Sequence, residues 1–258
     1  MKPLAALDAR GIRALLFDVD ETFSTAGKIT AQAYAALERL HAAGTRTVAV
    51  TGRPAGWCDH IARMWPVDAV VGENGAFYFR YAGGRLRRQY HEPPDLRGRH
   101  RERLAQLARE IVAAVPGCAI AADQPYRETD LAIDYCEDVA PLPLGEAERI
   151  AALMRAAGLH AKVSSIHVNG WFGDYDKLAM TRRLFRDEFA MDLARERDSV
   201  VYVGDSPNDA PMFDFFPRSV GVANVRRFAA VLDTAPKYVT SASSGAGFAE
   251  VVAHLLGA

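Results

Sequence analysis

Asp18 and Asp20 are the first residues of this 258-residue chain whose types and spacing indicate chemistry. They follow directly on the apolar run ALLF, which has the pattern of a buried strand. Burying a carboxylate without a partner costs several kcal/mol, and two neighbouring carboxylates also repel each other. A divalent cation would neutralise both acids, so the sequence predicts a metal-dependent site at the end of a strand.

Two further apolar runs end on polar residues that suit the same site. The run TVAV ends at Thr51, and the run VVYV leads through a glycine to Asp205. In open α/β sheets, ligands bind beyond the carboxyl ends of the strands, so the three strand ends can meet in one pocket. Asp18, Asp20 and Asp205 would then supply hard oxygen ligands, which suit Mg²⁺ better than Zn²⁺.

The apolar pattern predicts two kinds of structural unit. Short continuous apolar runs alternate with amphipathic helical segments at both ends of the chain, which is typical of a doubly wound, mostly parallel, Rossmann-like α/β sheet. In the middle, apolar and polar residues alternate around Ile133 and Val168, which predicts antiparallel strands with one covered face. Two amphipathic helices accompany them, so an α+β unit is predicted to be inserted into the α/β unit.

Stretches containing glycine bracket the inserted unit and are predicted to be hinges. These are YAGGR (residues 81–85) and GWFGDYD (residues 170–176). The expected organisation is residues 1–83 as the first part of the α/β core, residues 84–173 as the inserted α+β domain, and residues 174–258 as the second part of the core.

Composition and charge exclude several classes of function. The formal net charge of −1 provides no global field for nucleic acid or an anionic membrane. The three cysteines are far apart and lack metal-finger spacing, which favours reduced thiols. No apolar run reaches the roughly 18 residues of a membrane span, and charged residues interrupt the first segment before it could form a signal peptide. We therefore expect a cytoplasmic protein without nucleic-acid or membrane partners, whose oligomeric state the sequence leaves open.

Four short motifs, in this order, resemble those of the haloacid dehalogenase-like (HAD) hydrolase superfamily. They are DVDET from Asp18, Thr51 in VTGR, Lys177 in DYDKL, and GDSPND ending at Asp209. The stretch GENGAF (residues 72–77) and the position of the inserted unit are similar to the Cof-like branch, whose members carry a type IIB cap. The resemblance implies an α/β core with an inserted α+β cap domain.

The resemblance also implies a mechanism. Asp18 would be the nucleophile that forms an aspartyl-phosphate, and Asp20 would be the general acid and base. Mg²⁺ would lie between the carboxylate of Asp18, the backbone carbonyl of Asp20 and the carboxylate of Asp205, with Asp209 supporting the metal.

Further residues would bind the phosphoryl group. The resemblance implies that Thr51 and Gly52 hold phosphate oxygens, that Lys177 stabilises charge on the transferring group, and that Asn208 supports the phosphate. A structural interpretation remains for Lys177, because acids before it could pair with it as part of a helix cap.

Three other residues have open interpretations. Arg53 either meets the substrate or pairs with a surface acid, and Asn74 is more typical of a turn than of a ligand contact. Glu21 replaces the glycine usual at this position in Cof-like proteins, which raises a question about the local backbone and about access for acidic substrates.

The leading hypothesis is a Mg²⁺-dependent phosphatase acting on a small phosphorylated metabolite, with a sugar phosphate expected. Alternatives are a phosphomutase that uses the same aspartyl-phosphate and a catalytically silent relative that binds sugar phosphates. A signalling receiver module is disfavoured, because it would be about half this length and would lack an inserted cap.

Overall fold

A nine-stranded sheet forms the core of the protein. The computed structural model describes residues 1–164 and 166–257. The strands lie in the order β1 (Lys2–Pro3), β13 (Tyr238–Val239), β12 (Arg218–Gly221), β11 (Val200–Gly204), β2 (Ala14–Phe17), β3 (Arg46–Val50), β4 (Ala69–Gly72), β5 (Phe77–Ala82) and β6 (Arg85–Tyr90). All pairs are parallel except β4–β5 and β5–β6, which are antiparallel.

Helices cover both faces of this sheet. On one face pack α1 (Ala31–Ala42), α2 (Ala55–Met64) and α8 (Ser244–Leu256); on the other pack α5 (Lys177–Phe189), α6 (Leu193–Glu196) and α7 (Ala210–Phe215). Successive residues of β2 point to opposite faces, so that Leu15 and Phe17 enter one apolar layer and Ala14 and Leu16 the other. Burial on both faces explains the continuous apolar runs and confirms the predicted doubly wound fold.

A second, four-stranded antiparallel sheet is inserted between α2 and α5 and is called the cap below. Its order is β7 (Ala119–Ile120), β8 (Asp130–Asp134), β10 (His167–Trp171) and β9 (His160–Val163). Helices α3 (Pro94–Ala114) and α4 (Leu144–Ala156) cover one face, where Ile133 and Val168 are fully buried. The predicted alternation therefore identifies the covered face.

The division between the two units differs from the predicted boundary at residue 84. Gly83 and Gly84 have φ of +58° and +72°, and they form the turn that joins β5 to β6. Two consecutive residues with positive φ are typical of a tight hairpin turn, which is why the GG pair connects strands instead of acting as a hinge. Strand β6 therefore stays in the core sheet, and the chain enters the cap between Tyr90 and Pro94.

Local signals in the sequence set the bounds of the first core helix. Helix α1 begins after Thr30, whose side chain accepts a hydrogen bond from the Ala33 amide at 3.2 Å. It ends before Gly44, which has φ of +84° and continues the chain into β3. None of the described helices is both long enough and apolar enough to span a membrane.

Candidate active site

Three neighbouring core strands bring the predicted residues together. Strand β2 lies between β11 and β3, so Asp18, Thr51 and Asp205 emerge at the same edge of the sheet. The Asp18 amide still donates to the Val203 carbonyl at 2.9 Å, which fixes Asp18 beside the end of β11. The predicted convergence of the strand ends is present in the structure.

Three carboxylates cluster at this edge. Ligand oxygens of Asp18, Asp205 and Asp209 all lie within 4.8 Å of one another, and all three residues are buried. The Asp205 carboxylate is held from two sides, by the Thr22 hydroxyl at 3.3 Å and the Asn224 amide at 3.0 Å. Oxygen-rich, anionic and fixed, this cluster could hold a metal ion.

Lys177 is the cation that faces this cluster. Its Nζ atom donates to Asp18 Oδ1 at 2.8 Å and to Asp209 Oδ1 at 2.9 Å. Burial by itself disfavours the ammonium, but the two carboxylates outweigh burial and raise the pKa of Lys177 above its usual value. Asp176 caps the helix by accepting from the Ala179 amide, so the helix cap and the buried ion pair are made by different acids.

One lysine does not neutralise three acids. Burial raises the pKa of Asp18 to about 7 against the opposing effect of Lys177, and Asp209 and Asp20 raise it further. Burial and the charges of Asp18 and Asp209 also raise the pKa of Asp205 well above its usual value. The site as folded therefore lacks positive charge, which a divalent cation bound by oxygen ligands would supply.

Asp209 organises the loop after β11. Its Oδ2 accepts from the amides of Asp205 and Ser206 at 3.0 and 3.3 Å, and its Oδ1 accepts from the Tyr202 hydroxyl as well as from Lys177. A Cβ added at Gly204 would lie 2.5 Å from Asp209 Oδ2, so the close approach requires glycine. Direct ligation of a metal by Asp209 stays a prediction.

Two of the four predicted phosphate-binding residues line a small enclosed space above Asp18. Gly52 and Asn208 line it, whereas Thr51 lies beside it and is fully buried. The Thr51 hydroxyl accepts from the Arg53 amide at 3.0 Å, which leaves its own hydrogen available as a donor. Asn208 accepts from the Ser206 hydroxyl at 2.7 Å.

Arg53 pairs with Asp20, and contact of Arg53 with the substrate stays a prediction. Its Nε lies 3.0 and 3.1 Å from the two Asp20 oxygens, and its Nη2 lies 2.8 Å from Oδ1. The guanidinium also stacks on Trp57 at 4.4 Å from the ring centre. Both members of this pair line the enclosed space, so Asp20 is not the surface acid that the alternative required.

The backbone at Glu21 explains why glycine is usual there. Glu21 has φ of +53°, in the left-handed region that side chains disfavour by about 1 kcal/mol. Neighbours offset this cost, since Asn224 donates to the Glu21 carbonyl at 3.0 Å and the Ser244 hydroxyl bonds to its carboxylate at 3.3 Å. Its carboxylate is thereby directed to the start of α8.

The cap supplies residues that the sequence analysis did not assign to the site. Arg127, His167 and Asn169 line the enclosed space together with core residues. Arg127 donates to the Gly52 carbonyl at 3.0 Å, so the cap contacts the predicted phosphate loop directly. The signal for His167 and Asn169 was their place on the uncovered face of an alternating strand, where polar residues need another partner.

A second core–cap contact involves Glu73 in the GENGAF stretch. Its fully buried carboxylate accepts from the amides of Glu128 and Thr129 in the cap, at 2.9 and 2.6 Å. It also accepts from the Ala55 amide at the start of α2, at 2.9 Å. Burial, and after it the charge of Asp130, raises the pKa of Glu73 to about 7.

With the cap in this position little space remains above Asp18. The enclosed space above Asp18 has a volume of about 20 Å³, which is near the size of one water molecule. A much larger cleft of about 770 Å³ begins at Ser164 and Asn208, which border both spaces. The cleft runs between β9 of the cap and the core, and it adjoins the space above Asp18 at these two residues.

Comparisons with known proteins agree on the kind of fold. Residues 15–96 match the sequence profile of the family described as haloacid dehalogenase-like hydrolase. A search of curated proteins finds no match. Among solved structures, a protein of Thermoplasma acidophilum superposes with a TM-score of 0.72 at 18% identity, over 95% of this chain and 98% of that chain.

Two other similar structures are sugar phosphatases by name. A sucrose-phosphatase from Synechocystis, solved with sucrose and phosphate, has a TM-score of 0.66 at 18% identity, over 95% of this chain and 98% of that chain. A sugar phosphatase of HAD subclass IIB has a TM-score of 0.63 at 15% identity, over 94% and 98% of the two chains. The similarity in each case extends over the core and the cap.

Proposed function

We propose that this chain, a haloacid dehalogenase-like hydrolase by its amino-terminal sequence profile and its fold, is a Mg²⁺-dependent phosphatase of small phosphate esters. The observation that carries the proposal is the Asp18 carboxylate, which is buried, 2.8 Å from the Lys177 ammonium, and next to two more acids. A sugar phosphate is the favoured substrate, because two proteins of the same fold are sugar phosphatases.

Asp18 would attack phosphorus and form an aspartyl-phosphate, while the bond to the ester oxygen breaks. Asp20 would give a proton to the leaving oxygen and later take one from the water that hydrolyses the intermediate. Lys177 and the Thr51 hydroxyl would stabilise negative charge on the phosphoryl oxygens, with Gly52 and Asn208 bordering them.

The acidic cluster fits the proposed metal. Asp18 and Asp205 supply oxygen ligands, the Asp20 carbonyl would add a third, and Asp209 would support the metal by holding the loop of Asp205 in place. Bound Mg²⁺ would supply positive charge that lets an anionic phosphate approach an aspartate.

The test is the release of inorganic phosphate from a panel of phosphate esters, measured with and without Mg²⁺. We expect turnover that needs Mg²⁺ and that falls by more than about a thousandfold in Asp18→Asn, because the amide is a poor nucleophile. A folded wild-type protein that releases no phosphate from any ester would refute the proposal, as would an Asp18→Asn variant with unchanged turnover. Isomerised sugar phosphate without phosphate release would instead indicate the phosphomutase.

A further inference from the structure

The charges on the leaving-group side of the site carry an inference about the substrate. We propose that the site accepts phosphate esters whose leaving group has no second anionic group, and that Glu137 of the cap is a specificity-determining residue for this selection. The inference rests on the proposed phosphatase function and names the substrate class of the same site.

Carboxylates outnumber cations around the enclosed space on the side away from Lys177. Two guanidinium groups, of Arg53 and Arg127, stand against four carboxylates that pair with them. These carboxylates belong to Asp20, Asp123, Asp130 and Glu137. Asp20 lines the space itself, and the other three acids stand behind the guanidinium groups, so the described residues of this part of the site offer no unpaired positive charge to a second phosphate or carboxylate.

Arg53 is already occupied by acids. It is held by Asp20 at 2.8 Å, by Glu137 at 3.2 Å and by Asp123 at 3.6 Å. A second anion on the substrate would have to displace one of these carboxylates from its cation. Arg53 therefore does not offer a binding site for such an anion.

Arg127 is occupied in the same way. Its Nε and Nη1 atoms lie 3.0 Å from oxygens of Asp123 and Asp130, and Nη1 also donates to the Gly52 carbonyl. The guanidinium is almost completely buried, with 1% of the side chain exposed. Its donors are directed at protein acceptors, so Arg127 holds the loop of Gly52 against the cap.

Carboxylates also outnumber cations in the larger cleft. Among the described residues that line it, exposed carboxylates again outnumber lysine and arginine. The acids are Glu148, Asp174, Asp176 and Asp233, and the bases are Arg155 and Lys162, with His160 beside them. Under the cap the leaving group meets guanidinium groups that are already paired, and in the cleft it meets an excess of negative charge.

A neutral group with hydroxyls meets favourable partners instead. Carboxylate oxygens accept hydrogen bonds from hydroxyls, and the Asn169 amide and the His167 ring at the enclosed space can bond to hydroxyl oxygens. This chemistry favours an uncharged polyol or sugar over a bisphosphate or a phosphorylated carboxylic acid.

Glu137 is the acid best placed to set this preference. It contacts two residues that line the enclosed space, Arg53 at 3.2 Å and His167 at 2.8 Å, and 32% of its side chain is exposed. The side-chain contact with His167, and after it the charge of Arg53, lowers the pKa of Glu137 to about 2 against the effect of burial, so Glu137 is ionised throughout the working range. Glutamine has the same shape and can still accept from Arg53, so Glu137→Gln removes the charge with little change of shape.

The experiment compares substrates that differ only in the second anion. Values of kcat/KM are measured for glycerol 3-phosphate against 3-phosphoglycerate, and for a hexose monophosphate against the bisphosphate of the same hexose. The wild type should prefer the member without a second anion by about tenfold or more, and higher salt should reduce this preference. Glu137→Gln should lower the ratio of kcat/KM between the two members of each pair several-fold. The control Glu146→Gln, on the exposed side of α4, should leave this ratio unchanged.

The outcomes separate this inference from the proposed function. No turnover of any ester would overturn the phosphatase proposal and the inference together. Turnover with equal or reversed preference, or a ratio that Glu137→Gln leaves unchanged, would overturn the inference alone. The wild-type ratio and its dependence on salt decide the question even if Glu137→Gln does not fold.

Discussion

The guanidinium of Arg53 holds the Asp20 carboxylate in one orientation. Three nitrogen–oxygen distances of 2.8–3.1 Å join them, and Trp57 covers one face of the guanidinium. A planar guanidinium matches a carboxylate at two points, which an ammonium cannot do. At the scale of single residues, Arg53 is therefore a positioning residue for the proposed general acid.

Arg53→Lys should lower kcat on alkyl phosphates by about tenfold to a hundredfold, because Asp20 is then less well aligned to protonate the leaving oxygen. Esters with a good leaving group, such as p-nitrophenyl phosphate, need little protonation and should be affected far less. Steady-state kinetics on both kinds of ester measure the difference. Equal losses on both would contradict this role of Arg53.

At the scale of elements, the turn after β4 positions the start of α5. Gly75 has φ of +108°, and a Cβ there would lie 2.0 Å from the Asp176 carbonyl oxygen. Asp176 directly precedes Lys177, so this close contact sets where Lys177 enters the site. The GENGAF stretch therefore makes two contacts: Gly75 packs against the start of α5, and Glu73 bonds to the cap.

Gly75→Ala should move the start of α5 away from the turn and destabilise the protein by about 2–4 kcal/mol, from overpacking and a strained φ together. Turnover should fall as Lys177 shifts. Urea unfolding and kinetics provide the measurement, and Gly158→Ala, with φ of +87° and open space around the added Cβ, is the control for φ strain. If the two variants lost equal stability, the packing argument would be wrong.

Arg127 connects the cap to the core through its bond to the Gly52 carbonyl, and ion pairs within the cap hold it in place. Arg127→Met would leave Asp130 buried without a cation and Asp123 with only Arg53 at 3.6 Å, and we expect a loss of about 3–5 kcal/mol in the free energy of unfolding. The exposed pair of Arg149 and Glu146 on α4 provides the control, since Arg149→Met should cost less than about 1 kcal/mol. Similar losses of stability in both variants would show that the buried ion pairs stabilise the protein no more than an exposed pair does.

At the scale of the whole molecule, core and cap enclose several acids in a small volume. Burial is the main cause of the raised pKa values of Asp18 and Glu73, both about 7. The usual values of these groups are 3.8 and 4.5, so the folded metal-free protein binds these protons more tightly than the unfolded chain does. Stability from these groups is therefore greatest at low pH and falls as the pH rises through the window up to about 7.

Metal-free protein should accordingly show a Tm that falls between about pH 5 and pH 8, and the fall should be smaller in Asp18→Asn. Mg²⁺ favours ionised Asp18, so it should raise the Tm more at pH 8 than at pH 5. Thermal unfolding in EDTA and in Mg²⁺ tests both statements. A wild-type slope that Asp18→Asn does not change would show that Asp18 does not titrate in this window.

The sequence by itself determined the core fold and the resemblance to haloacid dehalogenase-like hydrolases, and both are confirmed. It could do so because strands buried on both faces need continuous apolar runs, and parallel strands bring their carboxyl ends to one edge. Asp18, Thr51 and Asp205 follow such runs directly, so their meeting could be read from the chain. Their chemical roles stay predictions.

The tertiary structure alone decided the partners of residues far apart in the chain. Arg53 meets Asp20 and Glu137, and Arg127 meets Gly52, because two separate sheets face each other across the site. Ion pairing depends on distance in space, and no local pattern encodes which acid a buried arginine will meet. The same holds for the GG pair at residues 83–84, whose turn geometry depends on strand β6 pairing with β5.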